Sequence, residues 1–155
     1  MTVRPAIFTD LPEVSILLLG LSEGKAEAFR CRKRGAECIK RANRKGGKGV
    51  TALVAELDGK IVGFLFAEER PALELVPKSR YCEVAYLTGK NAAKPLLRAL
   101  QGLTRLPILF PAHVHWGTMK SYARLLRGIG PVTEVGTIFQ LEPGGVSSSS
   151  DSSSG

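Results

Sequence analysis

The chain has 155 residues, of which 44% are apolar and 23% charged, the size and balance of one globular domain and not of a disordered or fibrous chain. Lys and Arg number 22 against 14 Asp and Glu, a formal net charge of +8. No apolar run approaches the roughly 18 residues of a membrane span; the longest early stretch, Val14 to Leu21, is interrupted by Ser15 and Gly20. It follows Asp10 and Glu13 instead of a basic leader, which argues against a signal peptide and for a cytoplasmic setting. Cys31, Cys38 and Cys82 are too few, and odd in number, for a disulfide framework.

Residues 2–8, TVRPAIF, read as a strand. Thr9-Asp10 then offers cap chemistry and Pro12 suits a first helical turn, so a short apolar helix is expected from Leu11 to Leu21. Ser22, Lys25 and Glu27 open a second helix. Along it Ala28, Cys31, Gly35, Cys38 and Ala42 recur at spacings of three and four, a stripe of small residues that can lie close to whatever it covers. Cys31 and Cys38 stand ~10 Å apart on that stripe, too far for a disulfide.

The other faces of this helix carry the charge. Residues 30–48 hold nine basic side chains and one acid, Glu37, a net +8; the remainder of the chain balances thirteen against thirteen. Arg30, Arg32, Lys33, Arg34, Lys40, Arg41, Arg44 and Lys45 are therefore the candidate anion- or partner-binding residues. The competing reading is a solvated helix face. No aromatic residue interleaves with the run, so a stacking platform for nucleic-acid bases is not evident.

VTALVAEL (50–57) and KIVGFLFAEE (60–69) flank Asp58-Gly59, a pair that favours a tight hairpin turn. A polar connection leads to a strand at 80–87, RYCEVAYL, and Thr88 to Asn91 form a turn. AAKPLLRALQGL (92–103) is a helix with Ala92, Ala93, Leu96, Leu97, Leu100 and Leu103 on one stripe; Pro95 is tolerable only in its first turn. ILFPAHVHW (108–116) reads as a strand whose internal Pro111 argues for a bulge or a sheet edge. TMKSYARLLRGI (118–129) is an amphipathic helix with Met119, Tyr122, Leu126 and Ile129 inward, stopped by Gly130-Pro131. A last strand or short hairpin spans 132–142. Residues 1–143 thus make one domain, and the Ser-rich 144–155 form a flexible tail. Helices alternating with strands after an antiparallel hairpin imply an α/β fold with a mixed sheet covered on both faces.

This order resembles the GNAT family, the acyl-CoA-dependent N-acyltransferases. "VRPAIFTDLPEV" is similar to the family's first strand and helix, "VAELDGKIVGFLFAEE" to its second and third strands, "YLTGKNAAKPLLRAL" to its acyl-CoA loop and third helix, and "SYARLLRGIG" to its fourth helix. A narrower resemblance, through "VHWG…SYARLLRGIG", is to small GNAT-like proteins of podovirus-type tailed bacteriophages. The family resemblance implies a mixed, mostly antiparallel sheet with helices on both faces, and acetyl transfer from acetyl-CoA to an amine. The phage resemblance implies the alternative: a non-catalytic protein of host cytoplasm or virion that serves particle assembly and binds phage proteins or nucleic acid through its basic helix.

By resemblance the cofactor would lie along Tyr86, Leu87, Thr88, Gly89, Lys90, Asn91, Ala92, Ala93 and Lys94. A helix N-terminus there offers amides and a favourable dipole to a pyrophosphate. The family's glycine-rich loop matches at Thr88, Asn91 and Ala93, where only Ala93 fits; Gly89 and Lys90 stand in shifted places, and Pro95 removes one donor. Glu83, inside an apolar strand, is the candidate general base, against the reading of an ordinary strand carboxylate. Tyr122, by resemblance the candidate proton donor, stands one helical turn earlier than the family's tyrosine, and its place on the apolar stripe favours core packing over that role. His113 and His115 share a strand face, but no third ligand is placed, so no metal is expected. A basic rim on the second helix would favour an acidic acceptor over a polyamine.

Overall fold

The structure, a computed structural model, describes residues 1–21, 28–44, 48–71, 80–89, 91–111, 119–135, 138–141 and 143. The elements are β1 (Thr2–Pro5), α1 (Leu11–Leu21), α2 (Ala28–Ala42), β2 (Val50–Leu57), β3 (Lys60–Arg70), β4 (Tyr81–Thr88), α3 (Ala93–Leu103), β5 (Ile108–Pro111), α4 (Met119–Arg127), β6 (Val132–Val135) and β7 (Ile138–Leu141). The strands form one sheet in the order β1-β2-β3-β4-β5-β7-β6. Every pairing is antiparallel except that of β4 with β5. The expected α/β class and the helices on both faces are what the chain adopts.

The central strands are apolar at nearly every position because both of their faces are covered. Ala52 and Val54 of β2 and Phe64 and Phe66 of β3 point to one side and pack with Val14, Leu18, Cys31, Cys38 and Ile39 of α1 and α2. Leu53, Ala55, Leu65 and Ala67 point to the other and meet Leu96, Leu97 and Leu100 of α3 and Leu126 of α4. The β2–β3 turn has Asp58 at φ 51° and Gly59 at φ 77°, the two left-handed residues that a tight hairpin with native twist requires. Gly35 lets α1 and α2 approach: a Cβ there would stand 3.2 Å from Leu11 and 3.3 Å from Val14.

Four expectations are corrected. β1 ends at Pro5, and Phe8–Asp10 form one 3-10 turn. Asp10 does not cap α1; its carboxylate turns back to accept from the Ile7 N–H at 2.9 Å and from Arg4 at 2.8 Å. Leu103 closes the α3 stripe but, as the helix's last residue, is 65% exposed, whereas Leu100 a turn earlier is buried. Pro111 does not mark a sheet edge, since β5 lies between β4 and β7. Its register partner is Ile138 on β7, and it lies beyond the last residue paired with β4, so a missing N–H costs no bond on that side. The remainder of the expected 108–116 strand, with His113, His115 and Trp116, lies outside the described residues. So do the origin of the second helix, Lys45, Lys90 and the Ser-rich tail.

Candidate functional site

Two irregularities in β4 define the site. The register with β3 passes from Phe66↔Tyr86 to Ala67↔Val84, so Ala85 is an extra residue, a β-bulge. Cys82, Val84 and Leu87 belong to the α3 side of the sheet, whereas Ala85 and Tyr86 both pack toward α1 and α2. On its other edge β4 pairs with β5 only at Cys82↔Ile108 and Glu83↔Leu109. β4 runs on to Thr88 past Glu83, its last register pair with β5. Among the described residues, Val84 to Thr88 therefore have no strand partner on that edge; this unpaired edge, with its main-chain hydrogen-bonding groups, is here called the slot.

The slot leads to the N-terminus of α3. Gly89 turns the chain at φ 102°, pressed against β3: a Cβ there would stand 2.3 Å from the Val62 carbonyl oxygen and 2.7 Å from the Gly63 Cα. Glycine is needed here for turn and packing, before any ligand is considered. The Ala92 N–H donates to the Gly89 carbonyl at 3.0 Å, so that amide is engaged within the turn. Pro95 has none. The amides of Ala93 and Lys94 have no acceptor among the described residues, and Asn91 and Lys94 are exposed. Lys94 reaches toward the end of α4, its Nζ 3.6 Å from where a Gly128 Cβ would stand. That places its charge near the carbonyls of a helix C-terminus. Leu87 is buried against α3, and the Thr88 hydroxyl donates to the Leu17 carbonyl at 3.4 Å. For these two residues, only the backbone is available to a ligand in the slot.

On the α2 side of the bulge lies a cleft of about 420 Å³, lined by Arg30, Lys33, Arg34, Glu37, Cys38 and Arg41 of α2 and by Phe66, Glu68, Arg70, Ala85 and Tyr86 of the sheet. Glu68 accepts from both terminal nitrogens of Arg41, at 2.9 and 2.5 Å, and Arg70 Nη2 stands 3.9 Å away. The Arg41 guanidinium also lies over the Phe66 ring at 5.7 Å, and Arg34 over the Tyr86 ring at 5.6 Å. Burial pushes the Tyr86 phenol above its ordinary pKa, with Arg34 opposing. It pushes the Cys38 thiol up to about 12, so this cysteine is inert at neutral pH.

Of the basic residues singled out by sequence, Arg30, Lys33, Arg34 and Arg41 line the cleft, while Arg32, Lys40 and Arg44 are exposed elsewhere. Glu83 is half-buried, opposite Glu68 in register, and does not line the cleft. It sits two residues before Ala85, about 7 Å along the strand at ~3.3 Å per residue. Tyr122 is a residue of α4 whose side chain lies outside the described set. Glu68, Arg70, Phe66 and Ala85 went unremarked as site residues in the sequence. The available signal was Glu68-Glu69 closing an apolar strand, where alternation sends one acid to each face.

The fold is that of the GNAT acetyltransferases. An acetyltransferase from Corynebacterium glutamicum described as histone acetyltransferase HPA2-related superposes with a TM-score of 0.61 at 18% identity, covering 94% of this chain and 98% of that one. A GNAT family acetyltransferase from Brucella melitensis, solved in complex with acetyl-CoA, gives 0.56 at 17%, covering 94% and 88%. The aminoglycoside 6'-N-acetyltransferase AAC(6')-IG of Acinetobacter haemolyticus gives 0.57 at 17%, covering 87% and 92%. No family model matches the sequence, and a search of curated proteins finds no match. None of these likenesses bears on the narrower phage resemblance. Among the described residues no helix is long and apolar enough to cross a membrane, and no cluster of His, Cys, Asp and Glu could hold a metal ion.

Proposed function

We propose that the protein transfers an acyl group, in the simplest case acetyl, from acyl-CoA to an amine. The observation that carries this reading is the parting of β4 from β5 after Glu83, leading to a helix N-terminus where two amides have no acceptor among the described residues. The coenzyme suits this place in outline: Ala93 and Lys94 would hold anionic oxygens, and the open edge of Val84 to Thr88 would align an amide-bearing arm. When bound, it supplies the acyl group as a reactive thioester. The chain's own part is to orient the amine and to handle protons. Glu83, next to the slot, would take the proton from the incoming amine, and Tyr122 on α4 would supply one on the product side.

Calorimetric titration with acetyl-CoA tests the reading. Saturable binding is expected, with thiol release when a panel of primary amines is added. Glu83→Gln should keep the binding and lower the rate of thiol release by about 10²–10⁴-fold, the range for loss of a general base. No heat at millimolar coenzyme would overturn the transferase reading; binding with an unchanged rate in Glu83→Gln would overturn the assignment of the base.

A further inference from the structure

We propose that the cleft between α2 and the β3–β4 bulge binds an oxyanion, carboxylate or phosphate, carried by the amine that accepts the acyl group. The identification of that carrier as the acceptor rests on the transferase reading; the anion site itself does not.

The charges in the cleft are not equivalent. Five cations line it, Arg30, Lys33, Arg34, Arg41 and Arg70, against two acids. Glu68 is held by Arg41 and approached by Arg70, so the one acid is already engaged and these three keep a net +1. Arg30, Lys33 and Arg34 remain on the wall with Glu37, and among the described residues none of the three cations has a carboxylate within ion-pair distance. Cations with no carboxylate partner among the described residues, set around a concave volume of about 420 Å³, describe a site for a small anionic group. Arg34 is the preorganised member: the Tyr86 ring carries its guanidinium at 5.6 Å. A guanidinium stacked this way keeps its N–H edge for a planar, two-point contact with an oxyanion.

The position of the cleft gives the anion a purpose. Its inner wall is Ala85 and Tyr86, the bulge residues, and the opposite edge of the same stretch of β4 faces the slot beside β5. An acceptor anchored at Arg34 by its acidic group would bring its amine to the strand segment where acyl transfer is proposed. A polyamine would meet like charge instead. Arg30, Lys33 and Arg34 are as exposed as Arg32 and Lys40 on the same helix; what sets the three apart is that they line the cleft, which makes the charge-matched pairs below the discriminating comparison with a solvated basic face.

The test is calorimetric titration without coenzyme at about 0.15 M salt. The probes are a tetraglutamate peptide with a free amino terminus, O-phosphoethanolamine, spermidine and a short DNA duplex. At least one of the first two should bind saturably, and the tighter of them distinguishes a carboxylate source from a phosphate source. Arg34→Gln and the pair Arg30→Gln/Lys33→Gln should each weaken that binding by at least about tenfold. The pair Arg32→Gln/Lys40→Gln, equal in charge removed, should leave it within about twofold, with all variants melting as wild type. The proposal is overturned if neither anionic amine binds, if the two charge-matched pairs lose affinity equally, if spermidine binds as well, or if the duplex displaces the anionic amine. A positive titration in a chain that ignores acetyl-CoA would sink only the acceptor role. Acetyl-CoA binding beside a negative titration would sink only the anion site.

Discussion

Asp10 shows how one carboxylate can order the entry to the fold. It accepts from both terminal nitrogens of Arg4 at 2.8 Å and from the Ile7 N–H at 2.9 Å, with its side chain only 6% exposed. Arg4 in turn reaches Glu56 on β2 at 3.0 Å, so β1, the 3-10 turn and β2 are tied at one point. The hydrogen bonds from Arg4 hold the Asp10 carboxyl below its ordinary pKa, against the opposing effect of burial. A carboxyl lowered in the folded state adds stability above its unfolded pKa of about 3.9, and that stability is lost as pH falls through the folded value. Asp10→Ala should therefore cost about 1.5–3 kcal/mol at neutral pH, the range for hydrogen bonds to charged groups. Urea denaturation at pH 7 and again below about pH 4 checks the sign: the difference between variant and wild type should shrink in acid. An equal loss at both pH values would assign the effect to packing.

Between β3 and α3 the decisive contact is glycine on alanine. A Cβ on Gly63 would stand 2.3 Å from the Ala92 Cβ and 3.1 Å from the Thr88 carbonyl oxygen. Gly63→Ala should thus push the α3 N-terminus off the sheet. The expected cost is about 1–3 kcal/mol, that of overpacking a tight core, with a larger relative loss of acetyl-CoA affinity than of stability. Thermal melts and coenzyme titration on the one variant measure both; affinity preserved in a destabilised protein would detach the coenzyme from this junction. The elements themselves were legible because their signals are local. Asp58-Gly59 marks its hairpin, and the Cys31–Gly35–Cys38 spacing marks the buried side of α2, wherever the rest of the chain goes. The bulge at Ala85 and the parting after Glu83 leave no such trace, since register is a property of two strands and not of one. Glu68 was only half legible as a site residue: strand alternation sends one acid of Glu68-Glu69 to each face, but its partner Arg41 lies 27 positions away on a helix. The basic run was legible as charge, but which of its members face the cleft depends on how α2 is rolled against β3 and β4.

The sheet is one in connectivity but has a weak seam. β1 to β4 form a continuous antiparallel unit, and β5, β7 and β6 a second; among the described residues two register pairs and the Cys82 N–H to Pro107 carbonyl bond of 2.9 Å join them. The proposed slot lies at that seam, because opening it breaks the fewest backbone bonds. A seam of this kind lets one unit open without the other. Native-state hydrogen exchange should therefore show the amides of β6 and β7 opening at a lower free energy than those that pair β2 with β3. Coenzyme held between the units would bind only the closed state, so saturating acetyl-CoA should raise the protection of β6 and β7 by up to the full linkage term, about 2.7 kcal/mol at a hundredfold excess over Kd. The gain should be smaller for β2 and β3 wherever their exchange proceeds by local fluctuations that leave the slot intact. Uniform protection in the unliganded protein would mean that the seam is no weaker than the rest. A coenzyme effect confined to α3, with β6 and β7 unmoved, would place binding at the helix N-terminus without the slot.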